Sequence, residues 1–125
     1  DQALLYEYLQ SGSFERYLRR ARKIYRQRHE EAVRLASALI PHRRIWGEGG
    51  LHIFVELEEG INARAVLAEC YRQGVLFMPG DLFYTDGKGQ NTFRLGIARV
   101  TAEQMRKGFG LIGQVISKLE AGKNA

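Results

Sequence analysis

The sequence predicts an α+β domain: a small, mainly antiparallel sheet with helices on one face, preceded by a long connecting helix. Two observations point there. Residues 51–57 and 91–98 alternate with a period of two, whereas 14–40, 62–73 and 101–119 carry apolar residues at three- and four-residue steps. The strand-like runs are segregated and joined by short connections, the pattern of an antiparallel layer under helices. A chain of 125 residues builds one such core and not two.

Residues 2–10 read as the end of a helix. Ser11-Gly12-Ser13 breaks it, and Ser13 is placed to cap the next. Over 14–40, Leu18, Ala21, Tyr25, Ala32, Leu35 and Leu39 form one apolar stripe. Arg28 falls inside the stripe, where its stem packs and its head needs a partner or water. Pro41 ends the helix.

Residues 43–46 read as a short strand and 48–50 as a turn. Leu51, Ile53, Val55 and Leu57 then alternate with His52, Phe54 and Glu56. Phe54 on the second face marks that face as partly covered. Residues 58–60 turn the chain. Asn62 caps a helix running to Gln73, with Val66, Leu67, Cys70 and Tyr71 as its apolar side and Gly74 as its left-handed stop. A strand at 75–78 ends on the turn pair Pro79-Gly80. A long loop rich in Gly, Asp and Asn leads to the strand at 91–98. Thr101 and Gln104 have capping-box spacing. They open a last helix with Met105, Phe109, Ile112, Val115, Ile116 and Leu119 in its stripe; the tail from Glu120 is expected to fray.

The net charge of +5 owes much to Arg16, Arg19, Arg20, Arg22, Lys23, Arg26 and Arg28 on one helix. Such a cluster could neutralise phosphates of a nucleic acid, but the plainer reading is a solvated face or one covered by another part of a longer chain. The lone cysteine, Cys70, excludes an internal disulfide and a zinc pattern, and reads as a small core residue. This fits a cytoplasmic protein. No apolar run reaches membrane-spanning length, and no signal peptide opens the sequence. It begins with Asp inside a helical pattern, which suggests a piece of a longer polypeptide.

The chemistry concentrates on 91–98. Phe93, Leu95 and Ile97 face one way, and Arg94, Gly96 and Ala98 the other. Small neighbours leave space over the guanidinium, and its planar fork matches a carboxylate in bidentate geometry. The alternative is a solvated surface arginine. Other motifs fall short. Gly87-Lys88-Gly89 lacks the spacing and the Ser or Thr of a phosphate loop. His29, His42 and His52 lack metal-ligand spacing. The serines have no base nearby, Glu56, Glu58 and Glu59 read as solvated carboxylates, and the strands carry no RNA-stacking motif. No complete catalytic constellation emerges from the residues alone.

Three segments together resemble one family. Tyr17-Leu18-Arg19-Arg20-Ala21-Arg22-Lys23-Ile24-Tyr25-Arg26-Gln27-Arg28 is similar to the helix that links the large and small domains of class I/II, fold-type I, pyridoxal-phosphate aminotransferases. Glu48-Gly49-Gly50-Leu51-His52-Ile53-Phe54-Val55-Glu56-Leu57 resembles their first small-domain strand. Gly74-Val75-Leu76-Phe77-Met78-Pro79-Gly80, Phe83-Tyr84 and Asn91-Thr92-Phe93-Arg94-Leu95-Gly96 resemble their C-terminal signature.

The resemblance implies an aminotransferase small-domain fold, with residues 1–12 the remnant of the large domain and 13–125 the C-terminal small domain. It implies that Arg94 binds the substrate α-carboxylate, that Phe83 and Tyr84 lie at the site mouth, and that Asn91 and Thr92 help set the strand. Pyridoxal phosphate would serve the parent protein and be held by its large domain. This piece would contribute no catalytic or cofactor-binding residue. The implied partners are an amino acid and a 2-oxo acid, the large domain of the same chain, and a second copy in a homodimer. The same C-terminal part occurs in GntR-type transcriptional regulators of the MocR group, which sense an effector with it and bind DNA only through a separate N-terminal domain. A reading independent of the family is a small α+β ligand-binding or dimerisation module.

Overall fold

The apolar stripe forms one 27-residue helix, α1 (Ser13–Leu39). The structure, a computed structural model, describes residues 12–47 and 51–123. The helix expected at 2–10 and the turn expected at 48–50 lie outside these residues, as does Ser11. Gly12 takes the N-cap position and Ser13 is the first helical residue, one place on from its expected capping role. Ile40 leaves the helix with φ −105° and ψ 117°, as a residue before proline must. The buried residues of α1 are Ala32, Leu35 and Ala36, all in its last third. Tyr17 and Tyr25 remain 58% and 43% exposed. The stripe is therefore continuous in sequence, but only its C-terminal end meets the core of the described residues.

The four strands are β1 (Arg44–Trp46), β2 (His52–Glu56), β3 (Met78–Pro79) and β4 (Thr92–Gly96). They pair antiparallel throughout, in the order β1-β2-β4-β3. The expected α+β layer is thus what forms. The strand expected at 91–98 is shorter, Thr92–Gly96, and of the strand expected at 75–78 only Met78 is in β3. The strand does end at Pro79-Gly80, with Pro79 itself still in the ladder opposite Phe93. Proline is tolerated there because β3 is an edge strand, whose missing N–H costs no ladder bond. A 3-10 turn, Gly80–Phe83, follows directly.

One face of the sheet is core. Ile53, Val55, Phe93 and Leu95 are buried there, beneath the buried helix residues Leu35, Val66, Phe109 and Ile112. Each such apolar side chain contributes about 1.5–3 kcal/mol by leaving water. Leu51 lies outside β2 and is exposed, unlike the other members of its alternating set.

The second helix, α2 (Ala63–Arg72), starts where Asn62 predicts. The Asn62 side-chain oxygen accepts from the Arg64 and Ala65 N–H groups at 2.8 and 3.3 Å. Asn62→Ala should cost about 1 kcal/mol, read as a lower thermal midpoint with unchanged far-UV ellipticity. Gly74, at φ 88°, supplies the left-handed residue beyond the helix end. Tyr71 departs from its expected core role and is 68% exposed, because Ala63, Val66 and Cys70 are the residues that face inward. Burial pushes the Cys70 thiol up to about 11, with Glu69 adding to the effect, so it is an inert core residue.

Thr101 and Gln104 form a complete capping box at the start of α3 (Ala102–Lys123): each side chain accepts from the other's backbone N–H, at 3.1 and 2.9 Å. The helix continues past Glu120, where fraying is expected, to Lys123; the last two residues lie outside the described ones. Leu119 stands 36% exposed at the edge of the stripe. Among the described residues, no helix is long and apolar enough to cross a membrane.

Candidate functional site

Strand register brings four residues into one row across the face of the sheet away from the core. Trp46 pairs with Phe54, Phe54 with Arg94, and Arg94 with Met78. The Trp46 and Phe54 rings stack with centroids 5.5 Å apart. Phe83, from the 3-10 turn, meets Phe54 edge-on at 6.0 Å and lies 4.8 Å from the Arg94 guanidinium carbon, a cation–π contact. One Arg94 Nη2–H donates to the Met78 sulfur at 3.3 Å, a weak acceptor.

Arg94 therefore has an aromatic face and a thioether for company. Arg34, Arg43, Arg44, Arg64, Arg72 and Arg106 each have a carboxylate within 4.0 Å. Among the described residues, no carboxylate pairs with Arg94. A half-buried cation with unused donors is equipped to take a planar anion.

Two positioning contacts hold this arrangement. Arg64 grips Asp81 with Nε to Oδ2 at 2.7 Å and Nη2 to Oδ1 at 2.9 Å, tying the 3-10 turn to α2. Hydrogen bonding to Arg64 holds the Asp81 carboxyl below its usual range. At the start of β4, the Asn91 amide donates to the Leu57 carbonyl at 2.7 Å, and the Leu57 N–H donates back to the Asn91 carbonyl. The Thr92 hydroxyl donates to the Gly89 carbonyl at 2.7 Å. Asn91 and Thr92 thus anchor the strand that carries Arg94.

The free space differs from the sequence expectation. Phe83 covers one face of the guanidinium. A cavity of about 460 Å³ opens on the Gly96 side, with Arg94, His52, Leu67, Leu76, Met78 and Leu82 in its wall. Gly96 does make room. Ala98 does not contribute; its carbonyl accepts from Arg28 Nη1, the partner that the head of Arg28 needed. Phe83 and Tyr84 part company: Phe83 reaches Arg94, whereas the Tyr84 ring packs against Gly89 in the loop. Alternation puts Phe54 on the second face of its own strand, but its place beside Arg94, like those of Trp46 and Met78, depends on pairing register, which alternation does not disclose.

The remaining candidates stay apart. His42 Nδ1 lies 2.7 Å from the Ile40 carbonyl, His52 is in the cavity wall, and His29 is on α1. No group of three or more His, Cys, Asp or Glu among the described residues is placed to hold a metal. Lys88 stands in a turn between two left-handed glycines, beside Asp86 at 3.8 Å. Glu56 and Glu59 pair with Arg44 and Arg43. The basic residues Arg19, Arg20, Arg22, Lys23 and Arg26 are exposed along α1.

No family model matches the chain. It is 30% identical to the 2-aminoadipate transaminase of Thermus thermophilus, over 97% of this chain and 31% of that protein. It is also 30% identical to an uncharacterized HTH-type transcriptional regulator, YdeL, of Bacillus subtilis, over 86% of this chain and 24% of that protein. Among solved structures it matches an alpha-aminoadipate aminotransferase from Thermus thermophilus, complexed with N-(5'-phosphopyridoxyl)-L-leucine. The TM-score there is 0.78 at 28% identity, over 96% of this chain and 31% of that one. The matched segment is the C-terminal end of these proteins, so the chain spans about a third of their length or less.

Proposed function

We propose that this chain, a homologue of the C-terminal end of aminotransferases and of HTH-type transcriptional regulators, is the small domain of an aminotransferase in which Arg94 binds the amino-acid α-carboxylate. Residues 13–125 are that domain, and residues 1–12 are the end of the large domain. The observation that carries the reading is the half-buried Arg94 guanidinium, flanked by Phe83 and Met78 and without a carboxylate partner among the described residues. Its aromatic and thioether neighbours lower the local polarity, which strengthens a charge-assisted pair.

The residues here do not fit pyridoxal phosphate by themselves. No lysine lines the cavity beside Arg94, and Lys23, Lys88, Lys107 and Lys118 are exposed elsewhere. The rest of the parent, proposed as a homodimer, holds that cofactor and the chemistry it supplies. This chain's share is to fix the carboxylate and to help exclude water as the domain closes over the amino acid.

Arg94→Ala in the full-length protein should weaken amino-acid binding by about 1.5–3 kcal/mol, with the thermal midpoint unchanged. Unaltered affinity would remove Arg94 from the site. The activity itself is tested by following the visible spectrum of the full-length protein with its cofactor. Adding an amino acid and then a 2-oxo acid should give a reversible change with release of a new amino acid.

The regulator relative favours a second reading, in which the same Arg94 senses an amino-acid effector and DNA is bound by a separate N-terminal domain. A spectral change without turnover, joined to effector-dependent DNA binding, selects it.

A further inference from the structure

Three of the large apolar residues left in water by this fold surround one cavity. Leu76 is 72% exposed, Leu82 61% and Met78 40%. All three are in the wall of the 460 Å³ space that ends at Arg94. The volume is of the order that a small organic ligand fills. Apart from Arg94, the only ionisable side chain in the wall among the described residues is His52. Arg43 and Arg44 do not line the cavity and are already paired with Glu59 and Glu56.

We infer that this cavity receives the side chain of the bound amino acid and selects apolar side chains over acidic ones. The inference rests on the reading of Arg94 as the carboxylate anchor. With one carboxylate on Arg94, a second carboxylate would enter a space walled by Leu76, Met78 and Leu82. It would lose water and meet, among the described residues of the wall, only His52 in exchange, which is costly. An aliphatic or aromatic side chain would instead cover the three residues that the fold leaves wet. Leu82 directly precedes Phe83, so the same turn that places a ring on the guanidinium places an apolar wall beside it.

The test is calorimetric titration of the full-length protein with L-phenylalanine, L-glutamate and L-alanine, in four forms: unaltered, Leu82→Asp, Leu82→Ala and Arg94→Ala. The unaltered protein should bind L-phenylalanine at least tenfold more tightly than L-glutamate. Leu82→Asp should cut the preference for L-phenylalanine over L-alanine by about tenfold or more, and Leu82→Ala should cut it in the same direction by less. Arg94→Ala should weaken L-phenylalanine and L-alanine alike.

Equal binding of L-glutamate and L-phenylalanine overturns the inference. So does an unchanged phenylalanine-to-alanine ratio in Leu82→Asp, including the case where that variant only lowers the thermal midpoint and the leucines prove to be a packing surface. In either case a loss of all binding in Arg94→Ala would still uphold the anchor. An Arg94→Ala protein with undiminished affinities would instead overturn the anchor and the inference with it.

Discussion

Phe93→Ala is expected to destabilise the protein by about 3–5 kcal/mol. Phe93 is fully buried, stacks against Phe77 with ring centroids 4.4 Å apart, and lies between Val55 and Pro79 in the register of the sheet. Truncation removes a large apolar surface and opens a void that rigid strand neighbours fill poorly. The loss should appear as a lower denaturant midpoint with an unchanged slope. A change below about 1 kcal/mol would mean that β4 is not the centre of the core. Because Phe93 immediately precedes Arg94, the same variant should also loosen ligand binding; Arg94→Ala should impair binding alone.

The second large effect turns on the contact between α1 and α3. At Gly113 an added Cβ would stand 2.1 Å from the Leu39 carbonyl oxygen. That oxygen is backbone and has no rotamer to give. Alanine is a better helix former than glycine by about 0.5–1 kcal/mol, yet here the helices must separate. Gly113→Ala should therefore be destabilising by about 3 kcal/mol, at the upper end of overpacking costs. Gly108 and Gly110 are on the same helix with nothing within 4 Å of an added Cβ. Gly108→Ala should raise stability by about 0.5–1 kcal/mol. Thermal unfolding of the pair gives opposite signs if close approach at Gly113 is the cause, and the same sign if helix propensity governs both.

Much of this architecture is legible in the residues. Alternation identifies the buried face of β4, three- and four-residue steps identify the helices, and Asn62, Gly74 and the Thr101–Gln104 pair mark their ends. These signals are local, so they survive without knowledge of the fold. The site is less legible because it is made by pairing. Arg94 stands out through its small neighbours in sequence, Gly96 and Ala98. Its neighbours in space are Phe54, Met78 and Phe83, brought there by register and by the Arg64–Asp81 clamp. The strand expected at 75–78 forms at Met78–Pro79 instead, a shift that stays hidden because proline reads as a break until the edge position is known. Similarly, Tyr71 looks like core by helical spacing and is not, because periodicity gives an angle but not the width of the covered face.

The uneven burial of α1 has a mechanical consequence. Its buried residues are Ala32, Leu35 and Ala36, with Val33 and Leu39 also packed against the core, so the preceding stretch extends from a fulcrum at one end. At about 1.5 Å per residue, that arm is roughly 28 Å long, and a tilt of about ten degrees at the fulcrum carries its far end about 5 Å. The arm is not idle along its length. Arg28 reaches from it to the Ala98 carbonyl, just beyond the strand that bears Arg94. A displacement at the far end would therefore be reduced to a fraction of its size where Arg28 meets the segment that follows β4.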